Sequence, residues 1–261
     1  MDQATIRKIA KQLFEAEQNL TTIPPLTETY PDITDEDAYK IQLDVVQMKL
    51  GAGQVVVGKK IGLTNFAMQA RRGINEPDYG HVFDVLMGNQ EVPISLSTLI
   101  QPKMEAEIAF VLKEDLKGPG VTAAQVLAAT AGVMASFEVV DSRIADWKIE
   151  LADTVADNAS CGRVILGGKL VPVENLDLRT VGLVLERNGE IVDTAAGAVV
   201  LGGPAESVAW LANKLGSMGV ALKAGEFIMS GSFTITYAIE AGDVYHAHFG
   251  GVGSVKARFI A

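Results

Sequence analysis

The chain has 261 residues, of which 48% are hydrophobic and 21% are charged, and its formal net charge is −10. This composition is typical of a folded globular protein and excludes an intrinsically disordered chain. The excess of acidic residues argues against nucleic acids and membranes as partners, and no run reaches the roughly 20 apolar residues that cross a bilayer. A single cysteine, Cys161, excludes an intramolecular disulfide, and the first residues lack the basic and apolar parts of a signal peptide. We therefore expect a cytoplasmic protein.

The first part of the chain is predicted to be helical. Apolar residues recur at helical spacing over residues 3–20, and Asp2 can cap this helix. Residues 21–34 contain three prolines and predict an irregular connection. A second helix is expected from Thr34, with Asp37 in the capping-box position, to the glycines near residue 51. These helices predict an N-terminal helical subdomain over residues 1–54.

From residue 55 the pattern changes to short strands and turns. One further helix is predicted over residues 122–133 and another from Pro204. The pair Asn188-Gly189 predicts a two-residue hairpin between strands near 180–186 and 190–194. Four more strands are predicted at 226–230, 235–239, 244–249 and 254–260. Strands dominate without regular βαβ alternation, so we predict an α+β fold whose core is a β-rich mixed roll or sandwich, with residues 55–261 as the metal-binding catalytic domain.

Two acidic residues lie one residue apart in an apolar segment. Glu105 and Glu107 belong to residues 103–111, which predict a β-strand, so their side chains are expected on the same face. Like charges on a half-buried face repel and lose hydration, which favours a cation between them. A third acid, Glu138, lies in another apolar strand segment, and carboxylate oxygens are ligands of hard cations such as Mg²⁺ and Mn²⁺. Spacing alone also allows a solvated face on which Lys103 pairs with one acid.

Three further residues have side chains suited to catalysis. Lys60 is flanked by glycines that let a ligand approach closely, so its ammonium group could hold a ligand carboxylate, and two solvated lysines at a strand edge are the alternative. Asp78 lies in a Pro-Asp-Tyr-Gly segment, which predicts either a turn or a rigidly held general base. Ser160 lies among small polar residues, 153–162, as in many ligand-binding loops.

Other chemistries have weaker support in the sequence. Cys161 and the serine before it do not match a nucleophile elbow and have no histidine nearby, so Cys161 is expected to be a packed side chain. His246 and His248 share a strand face and could bind a soft metal, but without a further Cys or His the alternative is a solvated or packed face. Three arginines are candidates for binding a carboxylate, with surface charge as the alternative: Arg71, Arg72 and Arg143.

Six motifs follow one another along the chain: GKKIGLT (58–64), PDYG (77–80), PKMEAE (102–107), FEVVDSR (137–143), VADNAS (155–160) and SGS (230–232). Each motif is weak alone. Their ordered set resembles the hydratase and decarboxylase family of bacterial meta-cleavage pathways for aromatic compounds, within the fumarylacetoacetate hydrolase superfamily. The likeness extends through nearly the whole chain, from residue 37 to residue 255.

The resemblance implies a β-rich core with a smaller N-terminal helical part, assembled into a pentamer or decamer. It implies a 2-hydroxy-2,4-dienoate as substrate and Mg²⁺ or Mn²⁺ as cofactor. It also implies roles for six side chains, three at the metal and three at the substrate: Glu105, Glu107 and Glu138 for the metal, and Lys60, Asp78 and Ser160 for the substrate.

Within this family the chain most resembles the 2-oxopent-4-enoate (2-hydroxypenta-2,4-dienoate) hydratases, because an aspartate follows the proline of the second motif and a Cys-Gly pair follows the fifth. The implied reaction is a metal-assisted addition of water that gives 4-hydroxy-2-oxopentanoate. Asp78 would move protons, Lys60 would stabilise negative charge and Ser160 would orient the substrate. The alternatives are a 4-oxalocrotonate decarboxylase of the same pathway, a hydrolase of acylpyruvates, and a non-catalytic partner that associates with a pathway enzyme.

Overall fold

The computed structural model describes residues 1–261 apart from the side chain of Arg72, so the interpretation of that arginine lies outside the described residues. The α-helices are α1 (Gln3–Asn19), α2 (Leu26–Thr29), α3 (Asp35–Gly51), α4 (Phe66–Arg72), α5 (Ala123–Ala129), α6 (Leu151–Ala156) and α7 (Pro204–Ser217). The β-strands are β1 (Val56–Gly62), β2 (Asp78–Phe83), β3 (Met87–Gly88), β4 (Ile94–Ser95), β5 (Lys103–Leu112), β6 (Thr130–Val140), β7 (Cys161–Leu166), β8 (Gly182–Arg187), β9 (Glu190–Ala196), β10 (Phe227–Met229), β11 (Tyr237–Ala238), β12 (Val244–Phe249) and β13 (Gly253–Ile260).

The N-terminal helices begin at the predicted caps. The Asp2 carboxylate accepts a hydrogen bond from a backbone amide in the first turn of α1. The capping box of Thr34 and Asp37 at the start of α3 is confirmed. The predicted irregular connection is wrong at one place, because it contains the short helix α2. The first amide of α2 donates a 2.6 Å hydrogen bond to Asp153, so its cap comes from far along the chain and leaves no local signal.

The predicted helix over residues 122–133 is too long. Helix α5 begins after Thr122, which forms a capping box with Gln125, and it ends at Ala129. Residues 130–133 belong to β6 and pair with β5. An apolar run rich in alanine and valine fits a buried helix or a buried strand equally well. Pairing with β5 therefore decides the structure of this segment.

Two β-sheets form the centre of the fold. The larger has eight strands in the order β2-β1-β10-β5-β6-β7-β3, with β11 also paired to β5, and the smaller has five in the order β4-β13-β12-β8-β9. The hairpin at Asn188 and Gly189 is confirmed, and both residues have positive φ (56° and 84°). The sheets pack face to face, as the edge-on contact of Phe137 in β6 with Tyr245 in β12 indicates (ring centroids 6.5 Å apart). The predicted β-rich α+β fold is thus confirmed.

The N-terminal helices pack against the elements that hold the candidate site. Ile9 of α1, Ile41 of α3 and Val155 of α6 are fully buried in one apolar cluster. The amide nitrogen of Gln42 in α3 donates to the carbonyls of Tyr79 and Val155, at 2.9 and 2.8 Å. Helix α3 thereby links β2 to α6. The subdomain boundary at residue 54 stays a prediction. Within the described residues, no helix combines the length and apolar character needed to span a membrane.

Candidate active site

Three glutamates meet where β5 and β6 pair. Glu105 and Glu107 lie one residue apart on β5, and Glu138 of β6 is the direct pairing partner of Glu105. One carboxylate oxygen from each residue lies within 4.8 Å of the others, so the structure brings these three predicted side chains together. Glu107 and Glu138 are fully buried, which makes the solvated-face interpretation wrong for them. We call these residues the acidic triad.

The acidic triad has too few hydrogen-bond donors for its oxygens. Within the described residues, Glu107 Oε1 and both carboxylate oxygens of Glu138 have no hydrogen-bond partner, while Glu107 Oε2 accepts a 2.8 Å bond from the Gly231 amide. Burial and then the charge of Glu138 raise the pKa of Glu105 to about 7, and burial also raises the pKa values of Glu107 and Glu138. Buried, like-charged and unsatisfied oxygens are stabilised by a hard divalent cation, so this donor set fits Mg²⁺ or Mn²⁺.

Lys60 lies beside the acidic triad. Its strand, β1, has β2 and β10 on either side, so the strand-edge interpretation is wrong, and Lys60 is only 3% exposed. Its Nζ donates a 2.9 Å hydrogen bond to the Ala159 carbonyl and lies 3.5 Å from Glu138 Oε1. Burial lowers the pKa of Lys60, but the surrounding carboxylates, Glu138 first, outweigh burial and raise this pKa above its usual value. Lys60 is therefore held as a cation.

Asp78 begins β2 and faces Gly62 of β1. The turn interpretation is therefore wrong, and Asp78 is buried in a regular strand. Its Oδ2 accepts a 3.4 Å hydrogen bond from the Thr154 hydroxyl. A Cβ at Gly62 would lie 2.2 Å from Asp78 Oδ1 and 3.2 Å from Lys60 Nζ, so both functional groups lie directly over this glycine. The structure thus places a carboxylate and an ammonium group side by side at the end of β1.

Three consecutive residues opposite Lys60 have a rare backbone conformation. Asn158, Ala159 and Ser160 have φ values of 54°, 49° and 54°, although none is glycine. The Asn158 side chain exchanges two 2.8 Å hydrogen bonds with the backbone of His81. Such conformations persist only where the surroundings enforce them. The result is that the Ala159 carbonyl is fixed against the Lys60 ammonium group.

The Ser160 hydroxyl donates to Asp157 Oδ2 at 3.3 Å, and Asp157 forms a buried ion pair with Arg143. Burial raises the pKa of Asp157 to about 6, although Arg143 opposes the shift. Arg143 also donates to three backbone carbonyls, those of Asp141 at 2.6 Å, Cys161 at 3.0 Å and Asp157, so it organises this segment and is not a clamp for a ligand. Arg71 is exposed on α4. Cys161 is buried, and burial raises the pKa of its thiol, as expected of a packed side chain.

A cavity of about 650 Å³ brings most of the predicted residues together. Lys60, Asp78, Glu105 and Ser160 line it, while the other two glutamates of the triad are buried next to Glu105. The cavity has the size of a small-molecule site. Part of its wall is apolar and comes from several elements: Leu63, Met68, Val140, Trp147, Ile149 and Ile235.

Sequence reasoning missed three contributions to the site. The Gly231 amide donates to Glu107. The φ of Gly231 is 109° and a Cβ there would lie 2.3 Å from the Thr64 hydroxyl oxygen, so the position favours glycine. The glycine of the SGS motif (230–232) is the sequence feature that could have indicated this close contact with Thr64. Thr154 donates to Asp78, and residues 193–196 of β9 line the cavity from the second sheet. No local pattern in β9 indicates that contact.

The fold and the site define the class of the protein. The fumarylacetoacetate (FAA) hydrolase C-terminal family model matches residues 61–260, and the chain belongs to this family.

Its relatives include enzymes of the two expected kinds. A 2-hydroxypent-2,4-dienoate hydratase of Pseudomonas putida is 50% identical over 223 residues, which are 85% of this chain and 100% of that protein. A 4-oxalocrotonate decarboxylase of Pseudomonas sp. (strain CF600) is 46% identical over 252 residues, or 97% of this chain and 96% of the relative. Among solved structures, 4-oxalocrotonate decarboxylase from Pseudomonas putida G7, complexed with magnesium and adipate, matches with a TM-score of 0.96 and 41% identity. The match covers 100% of this chain and 99% of the decarboxylase chain. The resemblance read from the motifs is confirmed.

Proposed function

We propose that the chain is a metal-dependent hydratase that adds water to 2-hydroxypenta-2,4-dienoate, giving 4-hydroxy-2-oxopentanoate, in the meta-cleavage catabolism of aromatic compounds. The observation that carries this proposal is the convergence of the acidic triad, Lys60 and Asp78 at one cavity. The 50% identity to a hydratase named for this substrate supports the choice of reaction.

In this proposal Glu105, Glu107 and Glu138 hold Mg²⁺ or Mn²⁺. The bound ion supplies Lewis-acid stabilisation of negative charge on the oxygens of the substrate. Glu105 reaches the cavity, and the buried Glu107 and Glu138 offer oxygens that accept no hydrogen bond from the described residues. Lys60 adds a fixed positive charge beside the same site, which favours the anionic substrate and the charge that develops during the reaction. Magnesium in the solved relative supports the choice of ion.

The reaction needs a group that moves protons. The C2 hydroxyl loses a proton and C5 gains one, which converts the dienol into 2-oxopent-3-enoate with an electrophilic C4. Water then bonds to C4 and releases a proton, and C3 takes up a proton, so the net change is the addition of one water. Asp78 serves as the proton carrier, and Thr154 orients its carboxylate. Ser160, held by Asp157, orients the substrate.

Two substitutions test these roles separately. Asp78→Asn should keep the affinity for Mg²⁺ and lower kcat by about 10²- to 10⁴-fold, which is the usual contribution of a positioned acid or base. Glu105→Gln should weaken Mg²⁺ binding and turnover together. Asp32→Asn removes an exposed carboxylate and is the matched control. Full activity in Asp78→Asn, or unchanged metal affinity in Glu105→Gln, would refute the corresponding role.

A 4-oxalocrotonate decarboxylase is the second candidate. A decarboxylase is 46% identical over 97% of the chain, and Lys103 lines the same cavity with its Nζ 4.0 Å from the centre of the Trp147 ring. This cation suits a substrate with a second carboxylate. In that reaction the bond to the distal carboxylate breaks, CO₂ leaves and the electron pair is delocalised toward the C2 oxygen before a proton is added.

The two reactions are distinguished by their products. The purified chain is given 2-hydroxypenta-2,4-dienoate and 4-oxalocrotonate separately, with Mg²⁺ and with Mn²⁺, while dienoate absorbance and CO₂ release are followed. Loss of the dienoate without CO₂ supports the hydratase, and CO₂ release from 4-oxalocrotonate supports the decarboxylase. Absence of turnover under all conditions contradicts both and favours the non-catalytic partner.

The proposal includes a homo-oligomer, a pentamer or decamer, because the resemblance of the motifs implies one. Large apolar side chains are exposed in the single chain, among them Phe66, Ile191 and Ile235, and association would cover such surface. Light scattering of the purified chain at assay concentration measures the subunit number, and a monomer would contradict this part. A mixture with the preceding or following pathway enzyme tests the predicted association.

A further inference from the structure

The outer surface of the smaller sheet carries a second group of metal-ligating side chains. His246 and His248 project from one face of β12, with ring centroids 3.8 Å apart. Glu186 of β8 is the direct pairing partner of His246. One ligand atom from each of the three residues lies within 4.8 Å of the others. None of the three lines the cavity described above.

We propose that Glu186, His246 and His248 form a separate site for a divalent transition-metal ion such as Zn²⁺, Ni²⁺ or Cu²⁺. The sequence alone offered only the two histidines, and the pairing of β8 with β12 supplies the third ligand. Two imidazoles and one carboxylate are a ligand set that zinc enzymes use, with water in the remaining coordination positions.

The ligand atoms of this site are not committed to other contacts. In the part of the chain that the structure describes, the side chains of Glu186, His246 and His248 take part in no hydrogen bond or salt bridge with the protein. Lys256 of β13, the strand on the opposite edge of β12 from β8, is also a direct pairing partner of His246. Its ammonium group forms an ion pair with Glu91 at 3.2 Å. Lys256 thus has an acidic partner other than Glu186.

The site is accessible, and the regular pairing of β8 with β12 holds its geometry. Glu186 and His246 are partly exposed and His248 is exposed, so an ion from solvent can reach all three. All three residues lie within hydrogen-bonded strands, which fixes the spacing of their Cβ atoms before a metal binds. The ligand chemistry also separates this site from the acidic triad, because imidazole favours Zn²⁺, Ni²⁺ and Cu²⁺ whereas an all-oxygen set suits Mg²⁺ and Mn²⁺.

The test is a calorimetric titration of the full chain with Zn²⁺ while Mg²⁺ in large excess occupies the acidic triad. One equivalent of Zn²⁺ should bind. Loss of even an outer-shell partner of a metal ligand costs about 10- to 100-fold in affinity. His246→Asn, His248→Asn and Glu186→Gln should therefore each weaken Zn²⁺ binding at least that much. Glu190→Gln removes an exposed carboxylate from the adjoining hairpin and should bind Zn²⁺ as the unchanged chain does.

Electron paramagnetic resonance of the Cu²⁺-loaded chain provides a second readout that identifies the ligands. Two imidazole nitrogens should split the Cu²⁺ signal, and each histidine substitution should reduce this splitting. Circular dichroism of each metal-free variant checks that the sheet is intact. Zn²⁺ affinity unchanged in either histidine variant or in Glu186→Gln would overturn the site, as would a Cu²⁺ spectrum without nitrogen coupling.

Discussion

Replacing Gly62 by alanine should displace the Asp78 carboxylate without removing it. The added Cβ would lie 2.2 Å from Asp78 Oδ1, whereas ordinary contacts of this kind begin near 3.4 Å, so the carboxylate must move by more than about 1 Å. Gly62 does not have a positive φ, so alanine is compatible with its backbone. A misplacement of about 1 Å at a catalytic group can lower the rate about 10²-fold, which corresponds to about 2.7 kcal/mol in the activation free energy.

The assay compares kcat, Mg²⁺ affinity and circular dichroism of Gly62→Ala with those of the unchanged chain. The expected result is a loss of about 10²-fold in kcat with nearly unchanged metal affinity and secondary structure. Gly182→Ala is the matched control, because a Cβ at this glycine in β8 would meet open space. Activity of Gly62→Ala within a few-fold of the original, or an equal loss in Gly182→Ala, would refute the reasoning.

Three further predictions concern the metal, the buried ion pair and pH. Glu107→Gln should weaken Mg²⁺ binding by at least about tenfold in calorimetry, and unchanged affinity would contradict its role as a ligand. Arg143→Met should lower the free energy of unfolding in urea by about 3–5 kcal/mol, because Asp157 is left buried without its cation. A loss below about 1 kcal/mol would show that the pair contributes little. The pKa of Glu105 is about 7 in the folded, metal-free chain against an ordinary value of 4.5. Its contribution to stability is therefore fully present below about pH 4.5 and is lost as pH rises through about 7. The increase in Tm caused by Mg²⁺ should consequently grow over this range, and a constant increase would contradict the assignment.

Local patterns predicted much of the secondary structure. The capping box at Thr34 and the Asn188-Gly189 hairpin depend on residues next to each other in sequence, and both are present. Alternation along a strand predicted that Glu105 and Glu107 share a face. The predicted helix at 122–133 was wrong in its last four residues, because an apolar run of this kind fits a buried helix or a buried strand.

The arrangement of the site depends on strand pairings and side-chain contacts that no local sequence pattern indicates. Glu138 meets Glu105 only because of the register of β5 and β6, which includes an irregularity after Val111. Arg143 and Asp157 are 14 residues apart, and nothing near either one indicates that they form a buried pair. The left-handed residues around Ala159 are held by contacts with distant segments, so no glycine marks them.

The pairing of Glu105 with Glu138 has a consequence for how the chain can fold and evolve. Because side chains alternate, a shift of β5 against β6 by one residue would turn one acid to the opposite face and leave it in the apolar core. In the proposed metal site one cation contacts both strands, so its binding would stabilise only the alignment that places Glu105 opposite Glu138. Insertions between the two strands, in residues 113–129, can leave this alignment intact, whereas an insertion next to Glu105 or Glu138 would move the two carboxylates out of register.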